Sequence, residues 1–467
     1  MSAPQPFATQ RLGNAEIRPP DEIVWGSQLR DGTGDQDRGE HQRQDDGEDI
    51  QHVPEGTRLP NQAGHARPAA PLGAESDTEG EPATNTVLCM GRTLLIDAIG
   101  AVIEIDGSAL TGDAWAAVEL AWSGATVVSG ARTIPSATVK AHGTVTTGSM
   151  LSSLSIDVTL AALQQRAGEI LMLHAAGLAT DEGRVVVLVG PSGRGKTTAS
   201  RVLGRYFGYV SDESVGIDSD GRVLPYRKPL SIIEEGSQLK VQRSPQELGL
   251  RPLADGPLRV AAFVMIERDD AALVPAVETL DPAHGIVGLA EQASYLGRLP
   301  HPLQTLWSHV AAVGGVHRVT YSDAATLAPT IAQLAARTLK SLPATPRVSE
   351  LGDVSARQPL AATATHTTVG HNLSPTYRRV PVLDTYALTD DRLVLLVQHT
   401  ERAARIIVLD GIAPTIWGAT AQPVTLTRIV AATVGTHGEP AQTDAATLVA
   451  ASVSHLVGEG LLLLDAQ

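Results

Sequence analysis

The stretch VVVLVGPSGRGKTTA, from Val185 to Ala199, decides the fold. Val185, Val186, Val187, Leu188 and Val189 make an unbroken apolar run of strand length, as in a strand buried on both faces of a parallel sheet. The run passes directly into Gly190, Pro191, Ser192, Gly193, Arg194, Gly195, Lys196 and Thr197, a complete G-x-x-x-x-G-K-T phosphate-binding loop. Its glycines let the backbone wrap so tightly that N–H groups converge on phosphate oxygens. Lys196 supplies a point charge for the terminal phosphates and Thr197 a hydroxyl ligand for Mg²⁺, with Thr198 beside it in the cradle. The spacing predicts a helix from Thr197 to Leu203 whose positive end points at the same phosphates. ATP and Mg²⁺ are therefore the expected cofactors.

Composition narrows the field further. The chain has 467 residues and a net charge of −15, which makes nucleic acid and anionic membrane surfaces poor bulk partners. Its single cysteine, Cys89, excludes an internal disulfide and fits a reducing cytoplasm. The opening MSAPQPFATQRLGNAEIRPP lacks the apolar core of a signal peptide, and no stretch reaches the length of a membrane helix. Aromatic residues are 3% of the chain, so cores must be built from Ala, Val, Leu and Ile.

Working outward, residues 1–85 are rich in Gln, Asp, Glu, Gly and Pro and are expected to be a disordered acidic tail. A solvated tail, a start at or near Met90, or an acidic docking segment are the readings open for it. Residues 86–159 read as a small α/β subdomain, with strands at Thr93–Asp97, Ala101–Ile105, Val118–Trp122 and Val145–Val158. Residues 160–340 read as the P-loop domain. It begins with a short helix at Leu160–Arg166, capped by Thr159. Strands at Ile170–Ala179 and Arg184–Val189 follow, joined by the hairpin turn Asp181-Glu182-Gly183. A strand at Leu258–Ile266, a helix at Leu303–Val313, a strand at Val316–Tyr321 and a helix at Ala324–Leu339 complete an alternating α/β pattern. Residues 341–378, rich in Pro, Ala, Thr and Ser, read as a linker. Residues 379–467 read as two strands, three short helices capped in part by Thr425 and Asp444, and a final strand, the order of a winged helix.

Phosphoryl transfer needs a carboxylate beside the phosphate cradle to orient or deprotonate the attacking hydroxyl. Asp212 and Glu213 end the next apparent strand, where a parallel sheet presents its ligand crevice. His174 lies one hairpin away from the loop. Taken singly, His174 fits a structural histidine and Asp212 a surface turn. Together, Leu173-His174-Ala175-Ala176, the P-loop and Val210-Ser211-Asp212-Glu213 resemble HPr kinase/phosphorylase and its smaller relatives, over about Leu160 to Leu339. The resemblance implies a P-loop kinase core in which Asp212 is the proton-handling base and His174 its neighbour. It further implies that Glu213 and Thr197 serve Mg²⁺, and it places Lys228, in Pro225-Tyr226-Arg227-Lys228-Pro229, at a basic Pro-Lys-Pro segment. The long glycine-containing signature of true HPr kinases has no counterpart between Leu239 and Asp255, which sets HPr and the phosphorylase reaction aside. An ABC-type ATPase would require an LSGGQ-like signature and an apolar strand ending Asp-Glu, and neither is visible.

The segment from Val380 to Asp465 resembles the PqqD family, through Val408-Leu409-Asp410-Gly411-Ile412-Ala413, Ile416-Trp417, Val424-Thr425-Leu426 and Ala445 to Leu464. Members of that family recognise leader segments of ribosomally made peptides, and the resemblance implies the same partner here. A generic winged helix with Trp417 in its core is the alternative. DNA is disfavoured because residues 444–458 carry no Lys or Arg and residues 426–434 carry Arg428 alone. Strand addition of a peptide to the Leu393–Leu409 hairpin needs only an exposed edge and apolar pockets. The joined expectation is a cytoplasmic kinase that transfers the γ-phosphoryl group of ATP to a Ser or Thr hydroxyl of a precursor peptide held by its leader. A nucleotide-gated peptide escort and a small-molecule kinase are the rivals. The HPr kinase likeness also raises homo-oligomerisation as an expectation.

Overall fold

The computed structural model describes residues 15–17, 91–127, 134–143, 146–191, 195–233, 240–337, 375–399 and 404–465. The P-loop strand, Arg184–Val189, lies inside a six-stranded sheet with the order 276–279, 316–321, 259–268, 184–189, 175–179, 208–211. Strands Arg259–Arg268 and Val316–Tyr321 run parallel to it, whereas Ala175–Ala179 is antiparallel and makes the expected hairpin through Gly183. That turn requires glycine: Gly183 has φ +75°, and a Cβ there would stand 2.6 Å from the Pro257 carbonyl oxygen. Gly208–Ser211 is antiparallel to Ala175–Ala179 and hence parallel to the P-loop strand. The carboxyl ends of 184–189 and 208–211 and the amino end of 175–179 therefore share one edge of the sheet, the edge from which Gly190, Asp212 and His174 emerge.

The expected strand Ile170–Ala179 is broken at His174. Leu171–Leu173 joins a second, four-stranded sheet with 215–217, 223–224 and 293–294, and the chain enters the main sheet only at Ala175. The His174 N–H donates to the Gln292 carbonyl at the crossover (2.7 Å).

Two expected strands are helices. Val118–Trp122 belongs to helix Gly112–Ala121, and Val145–Val158 belongs mostly to helix Thr147–Gln165. Ser, Thr and Val give the second segment a strand-like composition, but its buried residues Met150, Leu151, Leu154, Val158 and Ala162 recur at helical spacing. Thr159 is not a cap: it is buried in mid-helix and donates to the Ser155 carbonyl (2.8 Å), while Thr146 caps the helix. The division expected between residues 159 and 160 thus falls inside one helix. The helix expected at Ala324–Leu339 starts with a 3₁₀ turn at Ala324–Leu327, capped by Asp323, and continues as Ala328–Ala336. The P-loop helix is Lys196–Leu203.

Strands Thr376–Arg379, Asp384–Ala387, Leu393–Gln398 and Ala404–Leu409 precede helices Ala413–Ala419, Leu426–His437 and Ala445–Gly458 and strand Leu462–Asp465. Asp444 caps the last helix with its side chain, whereas Thr425 makes no side-chain cap bond. The apolar run Leu393–Val397 is buried on both faces. Leu393, Leu395 and Val397 pack with Ile416, Trp417, Val449 and Val453, whereas Val394 and Leu396 pack with Leu303, Leu306 and Trp307 of the P-loop region. Trp307 and Tyr386 bring their ring centres to 5.9 Å, and the Asp384 carboxylate accepts from the Leu303 N–H at 2.8 Å. The C-terminal segment therefore has one core of its own and shares a second with the P-loop domain. All described residues fall in one compact unit. The expected linker at 341–378 lies mostly outside the described residues. So does the expected tail at 1–85, except for Ala15–Ile17, which forms a strand paired with Ala404–Ile406.

Candidate phosphate site

The site is assembled at the shared sheet edge. Gly195 takes φ +95° and heads helix Lys196–Leu203, which has no side-chain cap, so its first N–H groups stay available to an anion. A Cβ at Gly195 would meet the Tyr321 hydroxyl at 3.2 Å, so the residue must be small as well as left-handed. The Lys196 ammonium donates to the Gly190 carbonyl (2.6 Å) and the Pro191 carbonyl (3.3 Å). Burial lowers its pKa to about 8 against the opposing pull of the Glu213 and Asp212 carboxylates. Ser192, Gly193 and Arg194 lie outside the described residues. Thr197 and Thr198 open the helix.

Asp212 is 4% exposed. Its Oδ1 accepts from the Tyr209 hydroxyl at 2.9 Å. Burial raises its carboxyl above the ordinary range; the Lys228 ammonium lowers it, Glu213 raises it, and the hydroxyls of Tyr209 and Thr197 lower it. Burial and the Asp212 charge push the Tyr209 phenol far upward, so it stays a proton donor to the carboxylate. The loop that carries Asp212 is pinned by Ser211, whose hydroxyl accepts from the N–H groups of Glu213 (3.3 Å) and Ser214 (3.1 Å). The Glu213 carbonyl accepts from the Ala175 N–H (3.0 Å), tying this loop to the residue that follows His174.

Lys228 is 3% exposed and pairs with Glu213 at 2.5 Å. Burial alone would lower its pKa, but Glu213, Asp212 and Tyr226 outweigh it and raise it above the lysine range. The segment is anchored along the Asp-bearing strand by the Tyr226 N–H to the Val210 carbonyl (3.1 Å) and Arg227 Nε to the Tyr209 carbonyl (3.1 Å). Glu213, expected to serve Mg²⁺, thus faces an ammonium, and the carboxylate beside Thr197 is that of Asp212. His174 is kept neutral: burial lowers its pKa to about 3, Lys196 and Lys228 push the same way, and Asp212 opposes them. The structure brings it into the field of Asp212.

The residues fit a Mg²⁺–nucleotide. The uncapped helix start and Lys196 suit phosphate oxygens. The Thr197 hydroxyl suits a cation that takes few protein ligands and completes its shell from phosphate and water. Among the described residues no group of three or more His, Cys, Asp or Glu forms a metal cage.

Tyr209 escapes sequence reasoning, and so does the role of Lys228. Tyr209 lies three positions before Asp212, which in a continuing strand would put the two on opposite faces; they meet because the strand ends at Ser211 and the chain turns. The role of Lys228 depends on an extended segment returning alongside that strand. A second feature lies in the C-terminal segment, a cleft lined by residues including Arg379, Val380, Val382, Leu393 and Trp417. The Arg379 guanidinium sits 5.6 Å from the centre of the Trp417 ring.

No protein-family model matches the chain, and no curated protein matches it. Among solved structures, the HPr(Ser) kinase/phosphatase from Coxiella burnetii is similar over 35% of this chain and 92% of that chain, at 15% identity and a TM-score of 0.22.

Proposed function

We propose that the chain is an ATP-dependent phosphotransferase, and that it phosphorylates a Ser or Thr hydroxyl of a ribosomally made precursor peptide whose leader is held by the C-terminal, PqqD-like segment. The observation that carries the first part is the convergence of Lys196, Thr197 and Asp212 at one sheet edge. Lys196 and the helix start hold the terminal phosphates and neutralise charge as the γ-phosphoryl leaves. Mg²⁺, held with help from the Thr197 hydroxyl, would add to that neutralisation. Asp212, with its carboxyl raised by burial, accepts the proton of the attacking hydroxyl, while Tyr209 holds it in place. Lys228 keeps Glu213 from adding a second uncompensated charge beside it.

The peptide part is supported by the two-sided strand pair 393–409, a sheet suited to strand addition, and by the apolar cleft at Trp417 with its single stacked cation. Tethering the peptide raises the local concentration of its acceptor at the phosphate site. The test is intact-mass spectrometry of a precursor peptide encoded beside this chain, incubated with the full chain and Mg²⁺–ATP. Gain of one phosphate by the wild type and none by Asp212→Asn supports the reading. Binding without any mass change favours a nucleotide-gated escort.

A further inference from the structure

Tyr321 ends strand Val316–Tyr321, which is separated from the P-loop strand by Arg259–Arg268 alone. All three strands run parallel, so Tyr321 stands at the carboxyl edge that carries the phosphate loop. Alternate residues of a strand face opposite sides of its sheet. Val319 and Tyr321 fall in the same buried cluster as Leu188, Ala199 and Leu203, so the ring lies on the face covered by the P-loop helix. The backbone that carries it is fixed from the neighbouring loop. The Tyr321 carbonyl accepts from the Asp269 N–H (2.9 Å), and the Ser322 hydroxyl donates to the Ala272 carbonyl (2.7 Å).

Tyr321 is 2% exposed, yet its hydroxyl has no hydrogen-bond partner among the described residues. Burying a hydroxyl without a partner is unfavourable, and phenylalanine would fill the same space without that cost. The hydroxyl is aimed at the phosphate loop: a Cβ on Gly195 would meet it at 3.2 Å. Gly195 heads helix Lys196–Leu203, which has no side-chain cap, so the hydroxyl stands beside N–H groups already suited to an oxyanion. Burial raises the phenol above its ordinary value, with Arg268 opposing, so the hydroxyl keeps its proton and can donate at neutral pH.

We propose that the Tyr321 hydroxyl is a phosphate ligand of the nucleotide site, donating to an oxygen of a phosphate held at the start of helix Lys196–Leu203. The inference rests on the phosphate site proposed above and adds to it a donor from outside the P-loop. A neutral donor orients a phosphate oxygen without changing the charge of the site. Tyr321 therefore acts on polyphosphate affinity, while proton handling stays with Asp212.

The test uses the full chain and Tyr321→Phe, which keeps the ring and its packing and removes only the hydroxyl. Calorimetry compares the two proteins with Mg²⁺–tripolyphosphate and with Mg²⁺–ATP, and circular dichroism follows their melting without ligand. Loss of a hydrogen bond to a charged group should weaken both ligands by about tenfold or more. The melting temperature of the unliganded variant should stay the same or rise, because a buried polar atom is gone. A second measurement does not depend on how the variant folds. Fluorotyrosine takes the place of Tyr321 alone, and its fluorine resonance should move when Mg²⁺–tripolyphosphate is added and stay in place with adenosine. Equal tripolyphosphate affinity in wild type and Tyr321→Phe overturns the inference. Weaker binding of Mg²⁺–ATP alone also overturns it, since the hydroxyl would then serve the nucleoside. So does a variant that melts lower and loses both ligands while the fluorine resonance is unmoved by tripolyphosphate, the outcome of a purely structural role. A wild-type chain that binds no tripolyphosphate overturns the phosphate site together with this contact, whereas the other adverse results overturn the contact and leave the site standing.

Discussion

Replacing Lys228 by methionine removes the ammonium that neutralises the pair of neighbouring carboxylates at the phosphate site. Lys228 is 3% exposed and Glu213 21%. Stranding one partner of a fully buried pair costs about 3–5 kcal/mol, but water reaches the exposed fifth of Glu213, so we expect the loss to fall at about 2–3 kcal/mol. The Lys228 charge also lowers the Asp212 carboxyl, so without it Asp212 should ionise at still higher pH. Any transfer activity of Lys228→Met should therefore show its acidic limb displaced to higher pH. Urea denaturation at neutral pH, monitored by circular dichroism, measures the first effect. The double variant Lys228→Met/Glu213→Gln should recover part of the loss, because the stranded charge is gone. A loss below about 1 kcal/mol, the value of an exposed pair, or a double variant no more stable than the single one, would refute the claim that this pair is a buried electrostatic unit.

Asp212→Asn keeps the shape of the side chain and its contact with Tyr209 but removes basicity, so transfer should fall by about 10²-fold or more with nucleotide affinity retained; His174→Ala, which leaves the base itself in place, should cost less in the same assay. Tyr209→Phe should shift the acidic limb of the transfer profile upward, since a hydroxyl that favours the ionised carboxylate is lost; an unmoved profile would remove Tyr209 from the site's chemistry. Unfolded His174 takes up a proton near pH 6.5 whereas the folded residue resists it down to about 3, so the unfolded chain binds more protons in that window and stability rises with pH there, by up to about 1.4 kcal/mol per unit; denaturation of His174→Gln across the same range should show a shallower slope. With Lys196 lowered to about 8, nucleotide binding above that pH should be coupled to proton uptake. Calorimetry in buffers of different ionisation enthalpy should detect this in the wild type, while Lys196→Ala should bind more weakly and without buffer dependence.

The elements that place the site were legible where local pattern and tertiary environment agree. The P-loop strand is apolar at every position because it is covered on both faces, and the loop and helix follow it without interruption. Asp212 could be placed because strand 208–211 ends on the same sheet edge as the P-loop strand, as an alternating α/β order implies. His174 was legible as a neighbour, but not as the point where the chain passes between two sheets. Helix Thr147–Gln165 was misread because Ser, Thr and Val mimic strand composition while its apolar positions follow a helical repeat. The doubly buried strand Leu393–Val397 carries no alternation, so nothing local revealed that one of its faces belongs to the P-loop core. The Lys228–Glu213 pair and the strand at Ala15–Ile17 depend on segments far apart in the chain and leave no periodic trace.

The proposed chemistry requires a transferable phosphoryl group between Lys196 and Asp212. A crystal structure of the full chain with Mg²⁺ and a non-hydrolysable ATP analogue tests this most directly. It should show the β- and γ-phosphates over the amides of residues 190–197, with the Asp212 carboxylate about 3 Å, or one bridging water, from where a hydroxyl must stand to attack the γ-phosphorus. A nucleotide bound elsewhere, or an Asp212 carboxylate turned away from the γ-phosphate with Lys196 still on the Gly190 carbonyl, would contradict it.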